Sequence, residues 1–176
     1  ARRNSARYAQ IRSRSDGAGE RIWAYRAEFL RAGDSLDGTA ALDRAESFAE
    51  WFSAVEDNRR AESVRSGMVP ATSFLAEDAA SSLVGMIQLR HCLNDYLLHF
   101  GGHIGYSVRP SQRRKGYATE MLRLVLEEAR RLGLKQVLVT CDAANEASRR
   151  TIRTNGGVLD GAIAEGGRLT QRYWIA

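Results

Sequence analysis

The chain has 176 residues, 44% of them hydrophobic, which is enough for a single core, and we expect one domain over residues 1–176. No apolar stretch approaches the roughly 20 residues that span a bilayer, and no signal-peptide segment is evident, so we expect a cytoplasmic protein without membrane contact. Cys92 and Cys141 are too few for a disulfide framework and lack the spacing of metal ligands, so we expect reduced thiols and no metal.

The formal net charge of +5 comes almost entirely from arginine, since Lys115 and Lys135 are the only lysines. One basic cluster precedes the first acidic residue and is typical of a solvated terminus; it comprises Arg2, Arg3, Arg7, Arg12 and Arg14. The other surrounds a glycine turn and comprises Arg109, Arg113, Arg114 and Lys115. Because the aromatic pattern of an RNA-binding sheet is absent, we expect no nucleic-acid partner and assign the second cluster to a phosphate-bearing ligand.

The first half of the chain predicts two helices followed by a β-hairpin. Residues 1–19 are polar, show no clear periodicity and are expected to be weakly structured, with a weak strand near Tyr8–Arg12. Apolar residues then recur at helical spacing and, after Pro70, alternate as they do in strands. The predicted elements are helices at Glu20–Arg31 and Ala41–Arg60 and strands at Thr72–Glu77 and Ser82–Arg90.

The second half predicts a parallel strand–helix–strand unit, then a short helix and a final hairpin. Helix Gly116–Leu132 is the clearest element, since its apolar residues keep to one face and Glu127 is spaced to pair with Arg131. The almost wholly apolar strand after it is typical of a buried parallel strand, so the crossover is expected to be right-handed. The remaining elements are strands at Gly101–Arg109 and Lys135–Cys141, a helix at Ala147–Thr154, and strands at Val158–Ala164 and Leu169–Ile175.

The turn before the long helix reads Arg113-Arg114-Lys115-Gly116-Tyr117-Ala118. A helix that begins here points unpaired backbone N–H groups and the positive end of its dipole at one spot, which suits a phosphate chain. Gly116 permits a close approach of the backbone, and the small Ala118 keeps the first helical turn open. The adjacent cations add charge that the N–H groups alone lack. The turn therefore predicts a diphosphate site.

This arrangement resembles the GNAT family of N-acetyltransferases, whose signature Gln/Arg-x-x-Gly-x-Gly/Ala stands here as Arg113-x-x-Gly116-x-Ala118. The family also has an asparagine shortly after the next strand, where this chain has Asn145. The resemblance covers about Leu83 to Ala176 and is faint before it. It implies an α/β fold with a mixed central sheet of six to seven strands, a splayed parallel pair in that sheet, and about four flanking helices.

The resemblance also implies acetyl-CoA as the co-substrate, with its pantetheine arm in the gap between the two central parallel strands. Main-chain groups of Tyr106 and Val108 are expected to contact the arm, with the Val108 N–H at the thioester oxygen. Asn145 is expected to reach the arm from the other side. The diphosphate is expected on the turn formed by Arg113, Arg114, Lys115, Gly116, Tyr117, Ala118 and Thr119.

The acid that protonates the departing thiolate is not the usual one. Many family members carry a tyrosine in the helix after the asparagine, but Ile152 stands in that place. The spacing Asn145-x-x-Ser148 resembles the branch that acetylates the N-termini of ribosomal proteins, in which a serine takes this role. Ser148 is therefore a candidate acid, and the alternative is a hydroxyl bonded within the first helical turn.

The general base has several candidates. His103 and Tyr106 lie on the strand that presents the thioester and are expected to point to opposite faces, because strand side chains alternate. Histidine has a suitable ordinary pKa, although a single histidine on a core strand is more often structural. His91 and His99 flank the segment before this strand and are equal alternatives.

The first hypothesis for the acceptor is a primary amine of a small polar molecule. Segments such as Arg90-His91 and Arg172–Ile175 resemble a bacterial branch of predicted acetyltransferases. With that branch we associate enzymes that inactivate the aminoglycoside kasugamycin, so antibiotic resistance is one expectation. Acidic residues including Glu28, Glu50 and Asp95 are expected to receive the cationic sugar; the alternative is that they lie on solvated helix faces.

Two other functions remain open. The first is a protein N-terminal or lysine acetyltransferase of the ribosomal-protein type, supported by Asn145-x-x-Ser148. The second is a non-catalytic module that binds coenzyme or RNA, which an acetyl-CoA turnover assay with mixed amines separates from both enzymes. A homodimer is also left open.

Overall fold

The structure is a computed structural model that describes residues 7–10 and 17–176. The expected strand near Tyr8–Arg12 is described in part, as a strand at Arg7–Gln10, whereas Arg12 lies outside the described residues. Among the described helices, none is long and apolar enough to cross a membrane.

One seven-stranded sheet organises the described part of the chain, in the order β1-β2-β3-β4-β5-β7-β6. All neighbouring strands are antiparallel except β4 and β5, which are parallel and pair only at Ile104 and Val139. The predicted α/β class with a splayed parallel pair is therefore confirmed. The strands are β1 (Arg7–Gln10), β2 (Ala71–Glu77), β3 (Leu83–Arg90), β4 (Ile104–Val108), β5 (Val137–Asp142), β6 (Val158–Glu165) and β7 (Arg168–Ile175).

Helices cover both faces of this sheet. They are α1 (Ala18–Ala32), α2 (Phe48–Asp57), α3 (Tyr117–Arg131) and α4 (Glu146–Thr154). Helices α3 and α4 enclose one core with the central strands, and α1 and α2 enclose a second core against side chains of β2 and β3. Short turns of 3-10 helix at Leu42–Arg44 and Pro110–Gln112 and a π-helical turn at Leu97–Gly101 connect these elements.

The second predicted helix, Ala41–Arg60, was too long. Ala40 and Ala41 have positive φ angles, which interrupt a helix, and α2 begins only after Ser47. The Ser47 hydroxyl accepts the Glu50 N–H at 3.2 Å and so caps the helix. The predicted pair of Glu127 with Arg131 was also wrong, because both residues have other partners at helical spacing. Glu127 accepts from Arg123 at 2.5 Å, and Arg131 pairs with Glu128.

A clamp of hydrogen bonds closes one end of the gap between β4 and β5. The His103 N–H donates to the Leu138 carbonyl at 2.7 Å, and the Leu138 N–H donates to His103 Nδ1 at 2.9 Å. Gly102, with φ +64°, fits here because a Cβ would lie 2.6 Å from the Leu138 carbonyl oxygen. Beyond this clamp the two strands diverge, and their carboxyl ends border an open cleft.

Candidate functional site

The cleft between the diverging strands has a volume of about 930 Å³. Its floor is β4 and β5, and the first turns of α3 and α4 border it at the carboxyl ends of these strands. The loop between α1 and α2 forms part of its other wall through Asp34, Ser35, Asp37 and Gly38. Since β4 pairs with β5 only at Ile104, backbone groups of β4 beyond that point face the cleft without a strand partner on this side. Such an edge can receive an extended ligand by backbone hydrogen bonds.

The basic turn lies at the mouth of this cleft. Gly116 is the N-cap residue of α3, has φ +84° and offers no side-chain cap, so no side chain of the N-cap residue covers the N–H groups of the first helical turn. The Arg113 side chain already has partners within the protein, because it donates to Asp34 at 2.7 Å and to the Val108 carbonyl at 3.2 Å. Arg114 is exposed and forms no ion pair with any described residue. The turn thus presents positive charge and free N–H groups to the cleft.

The structure brings together nearly all residues that the sequence assigned to the coenzyme. Those that line the cleft are Tyr106, Val108, Arg113, Arg114, Gly116, Tyr117, Ala118, Thr119 and Asn145. Lys115 is exposed and is not among the lining residues; its Nζ donates to Gln112 at 2.7 Å.

Two hydroxyl groups meet across the cleft. The Tyr106 hydroxyl on β4 and the Ser148 hydroxyl on α4 are 2.7 Å apart. Asn145 fixes the start of α4, because its Oδ1 accepts the Ser148 N–H at 3.0 Å. Burial raises the pKa of Tyr106 to about 12, although the hydrogen bond with Ser148 opposes this rise. Tyr106 therefore stays protonated at neutral pH and can donate a proton. The Ser148 hydroxyl is not limited to a bond within its own helical turn.

Cys141 lies beside these hydroxyls on β5 and also lines the cleft. Burial raises the pKa of its thiol, and hydrogen bonding with Ser148 only partly opposes this shift. A buried thiol with a raised pKa is a weak nucleophile at neutral pH, since the thiolate is the reactive form.

The histidines considered from the sequence hold the fold together. His103 is buried, and its Nδ1 accepts the Leu138 N–H, so the proton of the neutral ring lies on Nε2. Burial, followed by the charge of Arg90, lowers the pKa of His103. His91 lies 2.8 Å from the Thr72 hydroxyl and His99 lies 2.6 Å from the Asp95 carbonyl. None of the three is among the residues that line the described cleft.

Two of the three acidic residues that the sequence assigned to the acceptor, Glu28 and Asp95, lie away from the described cleft. Glu28 pairs with Arg109 at 2.5 Å and accepts the Ser111 N–H at 2.7 Å, which anchors α1 to the segment after β4. Burial opposes ionisation of Glu28, but these hydrogen bonds outweigh it and lower its pKa. Asp95 is exposed, and neither Glu28 nor Asp95 lines the described cleft.

A second cavity, of about 1110 Å³, lies on the α2 side of the sheet and includes Glu50 in its lining. The two cavities share four lining residues, Asp37, Gly38, Arg90 and Tyr96, and therefore meet there. Sequence reasoning did not assign any of the four to the site. The sequence features that could indicate Asp37, Gly38 and Arg90 are the Gly- and Asp-rich residues 33–38, which are typical of a loop, and the arginine that ends β3.

The described residues contain no group of three or more His, Cys, Asp or Glu side chains that could hold a metal ion. The chemistry that the cleft offers is instead donation of hydrogen bonds and protons near an unpaired strand edge and a basic turn.

The family model for the acetyltransferase (GNAT) domain matches residues 20–158. No curated protein sequence matches the chain. Among solved structures, an N-acetyltransferase from Staphylococcus aureus superposes with a TM-score of 0.67 at 18% identity, covering 97% of each chain. A ribosomal L7/L12 alpha-N-protein acetyltransferase in complex with coenzyme A, which is disulfide-bonded to a cysteine, has a TM-score of 0.66 at 18% identity, covering 95% of this chain and 92% of its own. A point mutant of the Vibrio cholerae spermidine N-acetyltransferase has a TM-score of 0.65 at 16% identity, and the match covers 96% of this chain and 94% of that enzyme. At these identities the structural likeness shows a shared fold.

Proposed function

The chain belongs to the GNAT acetyltransferase family, and we propose that it transfers the acetyl group of acetyl-CoA to a primary amine of a small polar molecule. The observation that carries this proposal is the cleft between β4 and β5, with the Gly116 turn at its mouth and a pair of hydroxyls inside.

The coenzyme fits this cleft in two ways. Its diphosphate is an anion, and the turn at Gly116 offers first-turn N–H groups together with the exposed Arg114. Its pantetheine arm carries amides, which can bond to the β4 edge that β5 leaves unpaired after Ile104. Bound in this way, the thioester lies near Tyr106, which is two residues further along β4.

The reaction is written as a direct attack. The nitrogen of the neutral amine forms a bond to the thioester carbon, the carbon–sulfur bond breaks, and the amine loses its extra proton to solvent. The departing thiolate takes a proton from Tyr106, and the adjacent Ser148 hydroxyl, 2.7 Å away, can resupply it from solvent. Because the pKa of Tyr106 is about 12, its proton is present at the pH at which the enzyme works.

The test is a screen that measures thiol release from acetyl-CoA with several classes of amine. The panel contains aminoglycosides including kasugamycin, polyamines, amino acids and peptides with free N-termini. We expect turnover with at least one small amine and acetylation of its nitrogen by mass spectrometry. The panel must extend beyond aminoglycosides, because Glu28 and Asp95, expected to bind the sugar, do not line the described cleft. Absence of turnover with every amine, in a folded protein that binds coenzyme A, would refute the proposal.

Acetylation of protein N-termini is the second candidate. The observation that favours it is the geometry of Asn145 and Ser148, in which the asparagine caps α4 and the serine hydroxyl faces Tyr106. In the same screen this candidate predicts that peptides react and that single amino acids and polyamines do not.

A further inference from the structure

Arg90 is a half-buried cation that the fold leaves only partly paired. It ends β3, and its Nη1 donates to the carbonyl oxygens of Gly101 and Gly102 at 3.0 and 3.1 Å. Its Nη2 and Nε have no hydrogen-bond partner among the described residues, and no described carboxylate forms an ion pair with it. Two neutral carbonyls hold the side chain in place, but they do not neutralise its charge.

An unneutralised guanidinium in a partly desolvated site favours an anion. Burial disfavours the charged form and lowers the pKa of Arg90, while Tyr96 and Asp37 only partly oppose this effect. Arginine does not lose its proton in proteins, so the unfavourable charge persists until a counter-charge arrives. The planar fork of Nη2 and Nε suits a carboxylate, which can accept two parallel hydrogen bonds.

The free side of Arg90 faces the junction of the two cavities. Its Nη2 lies 3.6 Å from the position that a Cβ would take on Gly105, which is the residue before Tyr106 on β4. Arg90 lines both cavities, and Gly38 packs closely over the same point of the strand. Because Gly105 and Tyr106 point to opposite faces of β4, Arg90 lies on one face and the Tyr106–Ser148 hydroxyl pair on the other.

We propose that Arg90 binds the carboxylate of the acceptor, so that the acceptor is an amino acid or a similar amine that carries a carboxylate. This inference rests on the proposed function and names its substrate class. An acceptor held there presents its amine to the thioester from the α1–α2 face, while the thiolate departs toward the hydroxyls on the opposite face. The exposed carboxylate of Asp37 lines the same junction and can hold the ammonium form before it loses its proton.

The test compares acceptors that differ only in the carboxylate. The common L-amino acids and their α-carboxamides are assayed by thiol release with the wild type, Arg90→Gln and Arg90→Lys. The carboxamide has the more weakly basic amine and so more of the free base, which means that a preference for the acid must come from the protein. We expect the wild type to favour the best acid over its carboxamide by about 10- to 100-fold in kcat/KM.

In Arg90→Gln the acid-to-amide ratio should fall to about one or below, with Arg90→Lys intermediate, and the Kd for coenzyme A should stay within about twofold. A purely structural role through Gly101 and Gly102 would lower the turnover of both acceptors alike and leave the ratio unchanged. Arg130→Gln is the matched control, because this exposed arginine on α3 lines neither described cavity. If Arg90→Gln does not fold, the ratio in Arg90→Lys decides.

Two results overturn the inference and leave the proposed function standing. The first is turnover of carboxamides or polyamines that is as efficient as that of the acids. The second is an unchanged acid-to-amide ratio in the Arg90 variants. If no amine releases thiol, the proposed function fails, and calorimetry on the protein loaded with coenzyme A then decides the inference. Binding of acids alone, lost in Arg90→Gln, supports the carboxylate site; equal binding or none refutes it.

Discussion

Gly116 gives the sharpest test of the coenzyme site, because the chain contains a second glycine with almost the same geometry elsewhere. Gly116 has φ +84° and Gly133 has φ +83°, and neither has an atom within 4 Å of the position that a Cβ would take. Both are exposed, but Gly116 begins α3 at the cleft, whereas Gly133 follows the end of α3. A substitution at either position therefore carries the same backbone strain, and only Gly116 lies at the proposed coenzyme site.

The magnitudes follow from this geometry. A side chain in the left-handed region costs roughly 1–2 kcal/mol, so Gly116→Ala and Gly133→Ala should each lower Tm by about 2–8 °C. A carboxylate about 6 Å from a phosphate, at an effective dielectric constant near 20, is repelled by about 3 kcal/mol. Gly116→Glu should therefore raise the Kd for acetyl-CoA by about 100-fold at low ionic strength, and added salt should reduce this factor.

Calorimetric titration with coenzyme A and thermal unfolding together test this reasoning. We expect Gly116→Glu and Gly133→Glu to unfold at similar temperatures, with only Gly116→Glu losing affinity. If Gly116→Glu folds and binds with unchanged Kd, the diphosphate does not lie on this turn. Equal loss of affinity in both variants would show that strain, rather than position, is the cause.

Two further predictions concern the cleft, and a third concerns the contact of His103 with Leu138. Tyr106→Phe and Ser148→Ala should each lower kcat, the former by about 100-fold, without changing the Kd for coenzyme A; full activity of Tyr106→Phe would exclude it as the acid. The double variant Cys92→Ala/Cys141→Ala should keep most of its activity, and mass spectrometry should detect no acetyl-enzyme, whereas a trapped acetyl-cysteine would indicate two-step transfer. Because burial and then Arg90 lower the pKa of His103 in the folded state, stability should be full above about pH 6.5 and fall as pH drops through the folded pKa. His103→Asn should flatten this fall in denaturant unfolding at pH 8 to 5, since Asn can accept the Leu138 N–H at every pH; an unchanged slope would contradict the assignment.

The parts of the fold that local patterns determine were predictable from the sequence. The apolar face of α3 and the glycine turn before it define the helix within one residue at each end, at Tyr117–Arg131. The apolar run of β5 predicts a buried parallel strand, as found. Helical spacing does not choose between equivalent partners, however, which is why Glu127 was assigned to Arg131 although Arg123 was also within reach.

The proposed acceptor side could not be predicted from the sequence, because it depends on contacts between distant segments. Gly38 meets Gly105 so closely that a Cβ on Gly38 would lie 2.1 Å from the Gly105 carbonyl oxygen. This contact brings Asp37 to the junction with Arg90, and no local pattern relates these three segments. The ordinary pKa of histidine and its place on this strand likewise made His103 a candidate base, whereas its role depends on the Leu138 N–H that β5 leaves without a strand partner.

The charges at the two ends of the cleft bear on the choice of acceptor. Of the basic cluster at the turn, Arg109 is paired with Glu28 and Arg113 with Asp34, so the fold itself neutralises part of the positive charge expected there. At the junction of the two cavities, where we propose that the acceptor binds, the charges are also mixed, since Arg90 lies in the same lining as Asp37. A polycation would be repelled by Arg90, whereas a zwitterion matches both charges. The net charge of +5 therefore says little about the acceptor, and the local pairing of each arginine says more.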